Sequence, residues 1–338
     1  MPLKAYFIKF HRAYHVGWNR PEKIIDHSTI LRALLNLAYM TKYDRLIKSV
    51  LKGKIRASAL LPTIPSSDGR KLLVPFPQMP SKVRITKVGV EWATLKSVTE
   101  ISSFATKCLE SKGRVFLESV KNGEVQIKCK GIEEYLKLNV ERKIVHADDE
   151  HITPTTIRFE RIVEYHNRID RVTGSADLYP LTGYCCNVPL CWIVDLPGDI
   201  AEGVTEFLKV LSGLGLGGFR GRGWGRFTLL EDLKLSNVDY DLIRKYGKWT
   251  PRRYHILLGC LLAKDNIIDE EHSFVKIRII GGYGGSSVGT YMLPVLAPAD
   301  VGSMVFVKQV PKPYIEEVTM KLNDYIPLII FNPIAISG

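Results

Sequence analysis

The sequence predicts an α+β fold of tandem ferredoxin-like (RRM-like) units carrying a glycine-rich loop. Three observations predict it. Over residues 1–235 the hydrophobic patterns run strand, helix, strand, strand, helix, strand, which is the order of a βαββαβ unit. Residues 236–338 are mostly strand-like and read as a second, degenerate unit. The composition is that of a chain with a packed core, 46% apolar or aromatic and 24% charged over 338 residues. The expected organisation is an N-terminal domain at 1–235 with an insertion near 52–155, and a C-terminal domain at 236–338.

The elements follow in order. The stretch Leu3–Phe10 is short and aromatic-rich, and reads as a strand. Ser28 is placed to cap a helix whose apolar positions, Ile30, Leu31, Leu34, Leu35 and Ala38, form one stripe. A basic helical stretch follows at 43–51. Pro62, Pro65, Pro75, Pro77 and Pro80, with Ser66-Ser67-Asp68-Gly69 between them, make 62–82 read as loop. Residues 83–150 are mixed and read as insertion without a core element. Strands are expected at 156–164, 178–186 and 190–196. Asp199 and Glu202 have capping-box spacing ahead of a helix striped with Ile200, Val204, Phe207, Leu208 and Leu211. A glycine-rich loop then runs to Gly225, followed by a strand at 226–230. Beyond it come strands at 254–262, 274–280 and 304–310, a Gly-Ser loop at 281–289, and an apolar tail, 325–336, that reads as an ordinary last strand or as part of an interface.

Charge narrows the function. There are 47 Lys and Arg against 35 Asp and Glu, a net +12, and residues 1–60 hold twelve basic and three acidic residues, +9 of that excess. A local excess of this kind suits a polyanion, because neutralised phosphates release condensed counterions. No run of eighteen apolar residues argues for a membrane helix, and the start lacks a signal-peptide pattern. The six cysteines form no CxxC pair and no metal spacing, so a reducing cytoplasm is expected, with no metal and no cofactor.

The loop itself is the most specific feature. From Gly213 to Arg226, fourteen residues include seven glycines, the arginines Arg220, Arg222 and Arg226, and the aromatics Phe219 and Trp224. Glycine lets backbone N–H groups approach a ligand, arginine offers a fork for phosphate, and an aromatic face can stack a base. The loop is not a Walker A sequence, since it ends in Gly-Arg-Phe. It is not a Rossmann turn either, because a helix precedes it and a strand follows.

With its flanks, LGLGGFRGRGWGRF at 214–227, this loop resembles that of the RAMP superfamily of CRISPR RNA-binding proteins. Ile25-Asp-His-Ser-Thr-Ile-Leu-Arg-Ala-Leu34 is similar to the family's polar start of the first helix. Arg168-Ile-Asp-Arg-Val-Thr-Gly-Ser-Ala-Asp-Leu-Tyr179 is similar to its Arg-x-Thr-Gly segment. Within the superfamily the closest resemblance is to the Cas5-like fourth subunit of type III-A (Csm) effector complexes, with the type III-B and III-D equivalents as alternatives. The resemblance implies a cytoplasmic protein of antiviral defence that holds the 5′ handle of CRISPR RNA (crRNA). It also implies docking on a large polymerase-like subunit and on a backbone RAMP subunit, with no membrane partner.

Single-stranded RNA offers splayed bases and their edges to a protein. The candidate RNA-binding residues are therefore Arg220, Arg222 and Arg226 for phosphates, with backbone N–H groups of Gly217, Gly218 and Gly221. Phe219 or Trp224 is the candidate base stacker, the alternative for each being core packing. His27, Ser28 and Arg32 lie at a helix start, where free N–H groups favour an anion; a structural histidine and a plain cap are the alternatives for the first two. Arg168 and Arg171 complete the set, with a surface ion pair as the alternative for one of them, and Gly174 reads as a turn glycine.

No enzymatic activity is expected. Histidines 11, 15, 27, 146, 151 and 166 could serve acid–base chemistry, as in the superfamily's metal-independent processing endoribonucleases, which are the alternative reading. In those enzymes the glycine loop lies near the C-terminus; here 112 residues follow Arg226. His146-Ala-Asp-Asp-Glu-His151 reads as an acidic surface loop rather than a cation site.

Overall fold

The computed structural model describes residues 2–17, 20–82, 89–169, 171–263, 267–286, 289–318 and 328–338. From the N-terminus, β1 (Leu3–Phe10) leads to α1 (His27–Met40) and α2 (Asp44–Leu51), then to β2 (Arg56–Ser66) and β3 (Gly69–Pro75). Strand β4 (Trp92–Thr94) enters α3 (Leu95–Glu110). Then follow β5 (Arg114–Lys121), β6 (Glu124–Lys130), β7 (Tyr135–Glu141) and β8 (Ile144–His146). A long hairpin, β9 (Phe159–Ile169) and β10 (Ala176–Cys186), precedes β11 (Leu190–Asp195), α4 (Ala201–Leu214) and β12 (Phe227–Leu229). The last third holds α5 (Asn237–Tyr246), β13 (Arg253–Leu257), β14 (Ile280–Ser286), β15 (Gly289–Leu296) and β16 (Met304–Val307). It closes with β17 (Tyr314–Glu317), β18 (Leu328–Phe331) and β19 (Ala335–Ile336).

Ten strands form one sheet in the order β12-β1-β11-β2-β3-β4-β8-β7-β6-β5. Its first four strands, with α1 and α4, make a βαββαβ unit. In chain order they are β1, β2, β11 and β12, and in space β12-β1-β11-β2, all antiparallel. The expected unit is present, but its second strand is β2. The strands predicted at 156–164 and 178–186 instead pair with each other as the separate β9–β10 hairpin. Residues 57–64 are buried throughout, a continuous apolar strand in the interior of the sheet. Burial on both faces outweighs the loop signal of Pro62 and Pro65, and the turn is confined to the residues between Ser66 and Gly69.

Residues 83–150 also depart from expectation, since they contain core. Helix α3 packs on β13 and α5, with Leu95, Val98, Ile101 and Ala105 buried. Ser102 Oγ donates to the Tyr254 carbonyl at 2.6 Å. A disulfide joins Cys108 of α3 to Cys129 of β6, a pairing that the cysteine spacing does not announce. Strands β14 and β15 form a hairpin in place of the predicted Gly-Ser loop. The described part of the apolar tail is core: Leu328, Ile330, Phe331 and Ile336 are buried, and β19 pairs with β13. The last-strand alternative therefore holds for the described part of the tail; residues 325–327 lie outside the described residues.

Two caps differ from expectation. Asp26, not Ser28, caps α1, its carboxylate accepting from the Ser28 N–H. The predicted stripe of α1 is fully buried. Helix α4 has no side-chain cap, because a 3-10 turn at Gly198–Ile200 runs straight into it. Among the described residues no helix is long and apolar enough to cross a membrane.

Candidate nucleic-acid interface

The glycine loop leaves the end of α4 and returns as β12, at the edge of the sheet. Its path needs left-handed backbone at Gly215, Gly217, Gly223 and Gly225, each with φ between 73° and 88°, a region that costs glycine nothing. Space is equally restrictive at two of them. A Cβ on Gly217 would lie 2.2 Å from the His15 carbonyl oxygen, and one on Gly225 would lie 2.0 Å from that of Leu216. Phe219 takes the same left-handed region at φ 57°. Gly218 and Gly221 do not have positive φ, so the conformational demand falls on other glycines of the loop than these two.

The loop is pinned from two sides. The Gly218 N–H donates to the His15 carbonyl at 2.7 Å, and the Gly225 N–H to that of Ala13 at 2.9 Å. The Gly218 donor is thus spent inside the protein. On the other side stands the β9–β10 hairpin. Glu164 of β9 accepts from Trp224 Nε1 at 3.1 Å and pairs with Arg12 at 2.9 Å. Arg222 donates to the Tyr179 hydroxyl and lies over that ring. His15 Nδ1 bonds the Thr182 carbonyl at 2.6 Å, and its ring packs on Phe219 at 4.8 Å.

Between these supports the loop lines an open cavity of about 600 Å³, bounded by Gly213, Gly217, Phe219, Arg220, Gly221 and Arg226. Phe219 remains 37% exposed, whereas Trp224 is fully buried. Trp224 packs with Ala13 and Leu181, so the core alternative holds for it and Phe219 is left as the stacking ring. Arg168 shares the hairpin face of Glu164, His166 and Tyr179, since cross-strand partners alternate in pairs. Arg171 lies in the turn beyond the paired strands, where Gly174 has the expected positive φ of 69°.

The helix-start residues do not line the loop's cavity, and Arg32 instead lines a smaller one with Val16, Gly17, Asp26 and Arg278. His27 and Ser28 are buried. His27 Nδ1 donates to Asp26 at 2.9 Å, and Nε2 accepts from the Asn332 N–H at 3.1 Å. The structural alternative therefore holds for this histidine, and Ser28 is neither cap nor contact. Arg32 is half-buried, its Nε donating to the Ser28 carbonyl. The structure thus brings Gly217, Gly218, Phe219, Arg220, Gly221 and Arg226 around one cavity, while Arg222 is held on Tyr179 and Arg168 lies on the same hairpin face as Tyr179. Sequence reasoning missed the supporting roles of Arg12, His15, Glu164 and Tyr179. Only their polar or aromatic character on irregular or strand segments marked them.

The segment 146–151 is the expected surface turn at Asp148, Asp149 and His151, which are exposed, but Glu150 turns inward. Glu150 is buried and holds Lys71 at 2.6 Å and the Thr94 hydroxyl at 2.6 Å. Asp149 pairs with Lys96, and Asp148 accepts from Asn139. Among the described residues no group of three or more His, Cys, Asp or Glu is placed to hold a metal ion.

No protein-family model and no curated protein matches the sequence. Solved structures do match. A chain of the Csm3–Csm4 subcomplex in the type III-A CRISPR-Cas interference complex aligns over 97% of this chain and 100% of its own, at 16% identity and a TM-score of 0.53. The fold is that of a type III CRISPR effector subunit. A chain of a Csm1–Csm4 cassette in complex with cA4 aligns over 99% of this chain and 98% of its own, at 10% identity and a TM-score of 0.46. A chain of the type III-B Cmr-beta complex bound to cognate target RNA and AMPPnP aligns over 89% and 86%, at 13% identity and a TM-score of 0.44. Of these three, the first alone is near enough to define the fold.

Proposed function

We propose that this chain is a non-catalytic subunit of a type III CRISPR effector complex that binds crRNA at its 5′ handle. The carrying observation is the glycine loop. Its backbone is forced by left-handed glycines and clamped between residues 12–15 and the β9–β10 hairpin. Arg220, Arg226 and Phe219 open onto one cavity. A preformed loop of this kind holds single-stranded RNA without first ordering itself. The likeness to a chain crystallised within a Csm3–Csm4 subcomplex supports a place beside a backbone RAMP subunit. By the resemblance in its motifs, the chain also docks a large polymerase-like subunit.

The histidine nearest the loop, His15, is engaged by Thr182 and Phe219, which suits support rather than proton transfer. The test is incubation of the purified chain with labelled CRISPR repeat RNA in chelator, beside co-purification from native cells. Intact RNA and recovery of CRISPR subunits are expected. Metal-independent cleavage would make the chain a processing endoribonuclease, and recovery of no CRISPR subunit would remove the assembly role.

A further inference from the structure

At the opposite edge of the ten-stranded sheet from β12, a second surface has the chemistry of a nucleic-acid platform. Strands β5, β6 and β7 alternate, with one bulge in β5 between Leu117 and Ser119. Their inner residues Val115, Leu117, Val125, Ile127, Cys129 and Leu138 are buried, and the Cys108–Cys129 disulfide ties that face to α3.

The outer face carries different residues. Register places Arg114 opposite Lys130, Phe116 opposite Lys128, and Lys128 opposite Tyr135, so these side chains share one side. Lys137 follows two residues after Tyr135, with its ammonium 5.3 Å from that ring centre. Lys82 stands 5.0 Å from the centre of Phe116. A groove of about 900 Å³ runs between Lys82, Arg114, Phe116, Lys128 and Lys130, with Ile132 and the acidic Glu133 also in its lining, and the Arg114 guanidinium lies 5.9 Å from the Phe274 ring centre. Tyr135 is 58% exposed. Among the described residues, Lys82 pairs with Glu118 at 2.8 Å, and no carboxylate pairs with Arg114, Lys128, Lys130 or Lys137.

We propose that this outer face is a second binding surface for single-stranded nucleic acid, separate from the glycine loop. Cations alone would suit any polyanion. Aromatic rings set between them at strand spacing suit a chain whose phosphates and bases alternate, with phosphates on the cations and bases on the rings. The strand-facing lysines now resting on Phe116 and Tyr135 would exchange ring for phosphate. A duplex fits less well, because its bases are not free to stack on a flat sheet.

The test uses the full chain carrying Arg220→Ala, Arg222→Ala and Arg226→Ala, so that the fate of the loop reading does not decide the result. Labelled single-stranded RNA and DNA oligonucleotides are titrated over a salt series, with polyglutamate as competitor. Adding Arg114→Ala, Lys128→Ala and Lys130→Ala is expected to flatten the log–log salt slope by about 0.7 for each phosphate that is no longer neutralised. Tyr135→Ala, at an exposed site, is expected to weaken binding by about fivefold to a hundredfold, the range for removing one stacked ring. Binding of RNA, DNA or both with these responses supports the proposal, and the relative affinities say which is preferred. An unchanged slope overturns it. So does a cation effect without a ring effect when polyglutamate displaces the oligonucleotide, since that describes an acidic-protein surface.

Discussion

Single residues decide how the loop holds its shape. Gly225→Ala places a methyl group 2.0 Å from a carbonyl oxygen at positive φ, a clash that the backbone relieves only by moving. The expected outcome is displacement of the loop, with a fall in RNA affinity exceeding that of Gly221→Ala, where nothing lies within 4 Å of the added methyl. Gel-shift titration of both variants checks this. His27→Ala tests the opposite point. It removes the partner of Asp26 and of the Asn332 N–H inside the core, at a cost of about 2–4 kcal/mol. A lowered thermal midpoint with an unchanged RNA salt slope is expected.

Two buried groups pull the pH dependence in opposite senses. Burial pushes the carboxyl of Asp239 up to about 7, although it accepts from the Leu72 N–H. Burial lowers His255 to about 4, against a hydrogen bond with Thr250. Between pH 4 and 7 the unfolded chain gives up the Asp239 proton that the folded chain keeps, so this group lowers stability as pH rises. His255 acts in the opposite sense between pH 4 and 6.5, where the unfolded chain binds the extra proton. Asp239→Asn keeps the acceptor and removes the first effect. Urea melts from about pH 4 to 7 are expected to show stability rising more steeply with pH in the variant than in the native chain.

Elements show which features were legible. The stripe of α1 was readable because Ile30, Leu31, Leu34, Leu35 and Ala38 face one core, and periodicity reports that directly. Strand β2 was not, because burial on both faces removes alternation and its prolines mimic a loop. Helix α3 was hidden by its Ser and Thr. Ser97, Thr99, Ser102 and Thr106 are buried, and their hydroxyls bond the helix or its neighbours, so a polar sequence lines a buried face. The α3–β6 disulfide closes a sequence separation of 21. Replacing Cys108 and Cys129 together by alanine is expected to cost about 3 kcal/mol, read as a lower denaturant midpoint.

At the scale of the whole molecule, chain segments far apart in sequence meet at Arg278. Its guanidinium pairs with Asp300 at 2.7 Å and donates to the Ile24 carbonyl, while Asp26 accepts from the Cys260 N–H. Burial opposes the charge on Arg278, and the surrounding Cys260, Asp300 and Asp26 outweigh it, raising its pKa. Arg278→Met leaves the buried Asp300 carboxylate with Lys276 as its remaining cation among the described residues, beside the Val301 N–H, at an expected cost of about 3–5 kcal/mol. Sequence patterns found the glycine loop but not this latch, whose members come from opposite ends of the chain, nor the hairpin residues that brace the loop.

The central claim is that the glycine loop holds the RNA. Its most direct test is the salt dependence of affinity for the repeat-derived 5′ end of CRISPR RNA, measured for the native chain and for Arg220→Ala, Arg222→Ala and Arg226→Ala combined. Each phosphate left without its arginine flattens the slope by about 0.7, so a fall of about one to two units is expected. The thermal midpoint should move little for half-buried Arg220 and exposed Arg226, within about 0.5 kcal/mol each, and more for Arg222, which loses its contact with Tyr179. An affinity and a slope that both match the native chain would contradict the account and shift the RNA site to the basic N-terminal segment.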